Sequence, residues 1–64
     1  MNIDQIKTAV TAGKKVYWSS DRYQVIQDAA GQWMIACNGG SMIGLTWLDG
    51  ATLNGEPEDF YIGS

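Results

Sequence analysis

Few side chains in this 64-residue chain could do chemistry, and their spacing argues against catalysis. The chain has no histidine, so the usual general base near neutrality is missing. Its single cysteine, Cys37, follows Trp33 and Ile35 at alternating positions of an expected strand. A thiol so placed behaves as a small hydrophobe, and no base is offered to activate it. Ser19, Ser20 and Ser41 fall in expected turns, and nothing specifies a Ser–Lys pair with Lys14 or Lys15. Glu56, Glu58 and Asp59 surround Pro57 in a segment that reads as an exposed loop, poor ground for acid–base work. Asp49, Asn54 and Glu56 do not match the spacing of a calcium loop. One cysteine without histidine cannot build a tetrahedral zinc site. Gly39-Gly40 lacks both the downstream lysine and the glycine spacing of a phosphate loop. The expectation is a protein that is not an enzyme, with no catalytic residue, no metal and no cofactor.

What remains is surface. The formal charge is −3, and all four basic residues (Lys7, Lys14, Lys15, Arg22) precede Tyr23, while five acids and no base follow it. Nucleic-acid binders show the reverse, a basic stripe on the contact face. The acidic half reads either as a solubilising surface or as one that meets a basic partner. On the second reading the expected contacts are Asp49, Glu56, Glu58, Asp59 and Tyr61, with Trp47 as the anchor, because aromatic anchors dominate interface energies. A competing constellation joins Tyr17 and Trp18 to Lys14, Lys15 and Arg22 as stacking platforms with a thin basic patch. That would make a small nucleic-acid- or ligand-binding β-module.

These residues must be positioned by a small α+β domain spanning 1–64. Asn2 and Gln5 make a capping-box pattern, Met1 and Ile6 a hydrophobic staple, and Ile3, Ile6, Ala9 and Val10 an apolar stripe. The spacing predicts a helix over about 3–12, ended by Gly13 with Lys14 and Lys15 beside the negative end of its dipole. From there to about residue 62 the period changes to two, an antiparallel β-meander of three to five strands. Strands are expected over 16–19, 23–27, 32–38 and 42–48, with a short edge strand at Phe60–Ile62. Ser20-Asp21-Arg22, Asp28 to Gly31, Asn38 to Ser41, Asp49-Gly50 and Asn54-Gly55 mark turns, and Leu53 an anchor between the last two.

Trp33, Ile35 and Cys37 share a face, as do Ile43, Leu45 and Trp47, and this side is expected to receive the helix. A bent sheet closing like an SH3-type barrel with the helix as lid is the alternative. Trp33 and Trp47 are expected in the core, and Trp18 and Tyr61 nearer the surface. Ile26, Met34, Ala36, Met42 and Leu48 fall on the opposite face. Either curvature tucks them into the core or they form a dimer or partner interface.

A domain this short buries only about 60% of its unfolded surface. Without disulfide or metal, aromatic packing or self-association must reinforce it. The lone thiol fits a reducing compartment, and no stretch reaches the roughly 20 apolar residues of a membrane span. The start lacks the pattern of a signal peptide, so the expected location is cytoplasmic, without membrane association.

The stretches Val16-Tyr17-Trp18, Tyr23-Gln24-Val25, Gly31-Gln32, Ile43 to Trp47 with Asp49-Gly50, and Leu53 to Glu56 with Asp59-Phe60 resemble a family of short uncharacterised proteins of phages, prophages and other mobile elements. The resemblance covers about three quarters of the chain and brings no site residues. It implies a bacterial host cell as the setting. It also implies a protein–protein interaction as the mode of action, such as inhibition of a host or defence protein in the manner of an anti-CRISPR protein.

Overall fold

The computed structural model describes residues 1–50 and 52–63. It shows one helix and a five-stranded antiparallel sheet, the α+β class expected. Helix α1 spans Ile3–Thr11. The Asn2 side chain accepts from Gln5 N at 2.8 Å, and the Gln5 side chain accepts from Asn2 N at 2.9 Å, so the capping box is complete. Gly13 takes the left-handed conformation (φ 87°) just after the helix, a position a Cβ would disfavour.

Strands β1 (Lys15–Trp18), β2 (Ser20–Gln27), β3 (Trp33–Cys37) and β4 (Met42–Gly44) follow as a meander. A 3₁₀ turn over Pro57–Asp59 leads into β5 (Phe60–Gly63). The strand order is β4-β3-β2-β1-β5, so β5 returns to pair with β1, and β4 and β5 are the two edges. The long β2 pairs with both β1 and β3. Helix α1 crosses the face of β1 and β2. Ile6 and Ala9 enter a core with Val16, Val25, Ile35, Leu45 and Phe60. Fully burying an Ile, Leu or Val side chain contributes about 1.5–3 kcal/mol, so these few residues hold most of the fold. Lys7 extends over the Trp33 ring, its Nζ 5.7 Å from the centroid.

Asp28 organises the turn between β2 and β3 as expected. One carboxylate oxygen accepts from Ala30 N and Gln32 N at 2.9 and 2.8 Å, and Gly31 has φ 85°. The turn between β1 and β2 differs from expectation. Ser20, Asp21 and Arg22 belong to β2; the reversal is made by Ser19 alone, at φ 67°. Trp18 pairs with Ser20, yet Tyr17 pairs with Gln24, so β2 bulges by three residues within two positions of β1.

The fourth strand is also shorter than the alternation suggests. Leu45 N still donates to Trp33 O, but Leu45 O accepts from Asn54 N and Trp47 N donates to Thr52 O. The chain beyond Gly44 therefore pairs with its own downstream segment, with a bridge between Thr46 and Leu53. The result is a small hairpin over 45–54 that leaves the sheet. Leu45 stays buried, while Trp47 is 65% exposed and not in the core. Leu48 stands fully in solvent at the hairpin tip and not on the second sheet face. Trp18 moves the other way: it is half-buried against Tyr23 and Phe60, and its Nε1 is buried without a partner. Cys37 closes β3 at its end and is half-buried.

Candidate functional site

The hairpin over 45–54 is built by short-range bonds that a β-turn can hold without the sheet. Gly50 N donates to Trp47 O at 2.9 Å, and Gly50 adopts φ 71°, which suits glycine. Asp49 accepts from Thr52 N at 3.0 Å and from Thr52 Oγ1 at 2.7 Å. Leu53 packs back on the core, and Asn54 Nδ2 donates to Gly44 O at 3.3 Å. The loop is thus fixed at its base and across its width, while Trp47 and Leu48 project from it. Large apolar side chains displayed on a hydrogen-bonded hairpin are characteristic of contact surfaces.

Downstream, Glu56, Glu58 and Asp59 are exposed on the 3₁₀ turn. The turn is held from both sides: the Met1 amine donates to Pro57 O at 2.6 Å, and Ser19 N donates to Asp59 O at 2.8 Å. Three carboxylates thus sit on a fixed backbone with their side chains in solvent.

The six residues expected to meet a partner fall in three places. Trp47 and Asp49 lie on the hairpin, and Glu56, Glu58 and Asp59 on the acidic turn. Tyr61, 41% exposed, lies on β5. Tyr61 pairs with Tyr17 across β1, and their rings are 5.8 Å apart. Tyr17 pairs in turn with Gln24, Gln24 with Ala36, and Ala36 with Met42, one row across all five strands. Ile26 and Met34 form the next row with Gly44. Curvature does not carry this face inward: none of these side chains belongs to the core or packs against it. From Ala29 to Leu48 the sequence has no charged residue, so the outer face of β3 and β4 is apolar. Leu48 was the residue of highest exposure that periodicity misplaced; the signal for it was Asp49-Gly50, a turn that can close a hairpin one residue later.

The competing aromatic–basic set is divided: by alternation Lys15 and Tyr17 fall on one face of β1 and Trp18 on the other. Trp18 faces the core, and Tyr17 faces the opposite side of the sheet beside Tyr61. Arg22 lies on the bulged part of β2 near Tyr23, Cys37 and Asn38, whereas Lys14 borders a groove shared by α1 and Ile62. An open cleft separates the first turn of α1 from the hairpin, lined by Asn2, Asp4, Lys7, Thr52, Leu53 and Pro57 among others. Its charged groups, Asp4 and Lys7, have opposite signs and Lys7 leans toward Trp33, so no single charge is focused there. Among the described residues no group of three acids or cysteines is placed to hold a metal ion. No helix among them is long and apolar enough to cross a membrane. Compared with protein-family models, curated proteins and solved structures, the chain matches none.

Proposed function

We propose that this chain acts without catalysis, as an interaction protein that docks on another protein through the Trp47–Leu48 hairpin tip. The exposure of those two large apolar side chains on a hydrogen-bonded loop carries the reading. A hairpin cross-linked by backbone hydrogen bonds loses less entropy on docking than an open loop, and truncating a seated tryptophan would cost about 2 kcal/mol or more. Glu56 and Glu58, held on the 3₁₀ turn, add a negative field that favours a basic partner and speeds association at low salt. With the resemblance to mobile-element proteins, the partner class is a host or defence protein in the bacterial cytoplasm, and the expected effect on it is inhibition.

The test is capture from a bacterial lysate with a tagged chain, run in parallel with Trp47→Ala and Leu48→Ser. A stoichiometric protein retained by the unmodified chain and lost with both variants supports the reading. The same proteins on all three baits, or none, overturns it. Nucleic acid in the eluate would favour a binding module, although the burial of Trp18 removes one of its two platforms.

A further inference from the structure

We infer that β5 is a self-association edge, pairing antiparallel with β5 of a second copy about a two-fold axis through Tyr61, with Asp59 of each copy set against Lys15 of the other. The hydrogen bond from Ser19 N to Asp59 O continues the β1–β5 ladder, in which Tyr17 faces Tyr61 and Lys15 faces Gly63. Ser19/Asp59 is thus a hydrogen-bonded pair, and alternation makes Tyr17/Tyr61 and Lys15/Gly63 bonded pairs too. The backbone groups of Phe60 and Ile62 then point away from β1. Phe60 N donates to Pro57 O within the 3₁₀ turn, which leaves the Phe60 carbonyl and both Ile62 groups at the open edge.

No proline and no charged residue interrupts Phe60–Gly63, although charge and proline are the usual protection of an edge strand. Ile62 is 48% exposed on the helix side, next to a groove lined by Met1, Ala9 and Ala12. The other edge, β4, is only three residues long and gives way at once to the hairpin.

Charge decides which occupant fits. Strand β5 begins at an acidic turn (Glu58, Asp59) and ends beside a basic pair (Lys14, Lys15), because Gly63 pairs with Lys15. A parallel neighbour of the same kind would set acid against acid. An antiparallel second copy sets acid against base at both ends. With Tyr61 opposite Tyr61, Ile62 N–H of each copy donates to the Phe60 carbonyl of the other. Asp59 then lies in one row with the Lys15–Gly63 pair, and because the Tyr17 ring covers Gly63 on this face, the exposed lysine reaches past that ring. A two-fold pairing satisfies both copies with the same contacts, the usual form of a homodimer. It also supplies the reinforcement that a 64-residue chain without a disulfide otherwise lacks.

The proposal is tested by sedimentation equilibrium from micromolar to millimolar chain. The expected species has twice the 7.0 kDa chain mass and dissociates as salt rises. Lys15→Glu alone and Asp59→Lys alone should each weaken it about tenfold, the size of a lost close charge pair, and the two together should restore it. Both side chains are exposed, and circular dichroism checks that the variants keep the fold. Tyr61 faces its own copy at a non-hydrogen-bonded site, where Cα atoms approach to about 4.5 Å, within the range of a disulfide. Tyr61→Cys in a Cys37→Ser background should therefore oxidise to a covalent dimer faster than Leu48→Cys in the same background. A monomer at every concentration overturns the inference, as does a dimer indifferent to the charge swap or cross-linking no faster at Tyr61 than at Leu48.

Discussion

The indole of Trp18 closes over the backbone of Gly55: a Cβ built at Gly55 would lie 2.5 Å from Nε1 and 3.1 Å from Cε2. Gly55 also has φ 155°, a conformation that side chains rarely adopt. The turn before the acidic segment is thus pressed against the end of β1 by an aromatic ring, and only glycine fits between them. Gly55→Ala should destabilise the fold by about 2 kcal/mol, within the overpacking range. For a domain of this size that lowers the melting temperature by about 8–16 °C. Gly39→Ala, where nothing lies within 4 Å of the added carbon, should stay within about 0.5 kcal/mol of the unmodified chain. Thermal melts of the two variants, followed by circular dichroism, make the comparison.

Ser19 carries the opposite expectation. It is the non-glycine residue at positive φ among those described, and it alone separates β1 from β2. The left-handed conformation costs an L-residue about 1–2 kcal/mol, and glycine's extra unfolded-state freedom returns part of that. Ser19→Gly should stabilise the protein by about 0.5–1 kcal/mol, read as a rise in the urea midpoint at unchanged m-value. Ser19→Val should destabilise it, since branching at Cβ makes the same backbone harder to reach. A loss of stability in Ser19→Gly would mean that the serine hydroxyl does work the backbone geometry does not require.

The helix, its cap and the Asp28 turn were legible in the sequence because local interactions determine each of them. Asn2 and Gln5 satisfy each other, and the carboxylate of Asp28 bonds to residues two and four positions away. The places where periodicity misled are those where a partner distant in sequence decides. Trp47 continues the alternation of Ile43 and Leu45, but Asn54 captures the Leu45 carbonyl and turns the chain outward. Trp18 reads as a surface aromatic, yet Gly55, Tyr23 and Phe60 assemble a pocket around it. The expected contact residues lie on three segments, the hairpin, the acidic turn and β5; an acidic composition shows that carboxylates are abundant, not which backbone segment holds them.

The cap itself is open to measurement. Asn2→Ala removes the acceptor for Gln5 N and should cost about 1 kcal/mol, whereas Asn2→Ser or Asn2→Asp keeps an acceptor and should cost only a few tenths. Gln5→Ala leaves the Asn2 acceptor in place and should fall between these limits. Helix α1 contributes Ile6 and Ala9 to the core, so loss of the cap should lower the global urea midpoint and not only fray the first turn. A change confined to helical ellipticity, with an unmoved midpoint, would show that α1 unfolds separately from the sheet.

The three tryptophans divide by environment, and their fluorescence should divide accordingly. Trp47 is 65% exposed, Trp33 is half-buried beneath Lys7, and Trp18 is half-buried with its Nε1 sealed. An ionic quencher such as iodide reaches exposed rings most readily. Trp47→Phe should therefore abolish most of the quenchable emission and shift the remaining spectrum to the blue. Trp18→Phe should leave the quenchable fraction in place. A side chain so exposed contributes little to folding, so Trp47→Ala should change stability by no more than about 0.5 kcal/mol. Together these outcomes would separate a displayed tryptophan from a structural one, as docking through the hairpin tip requires. If Trp47→Ala instead unfolded the domain, the ring would be part of the core in solution, and the acidic turn would be left without its apolar anchor.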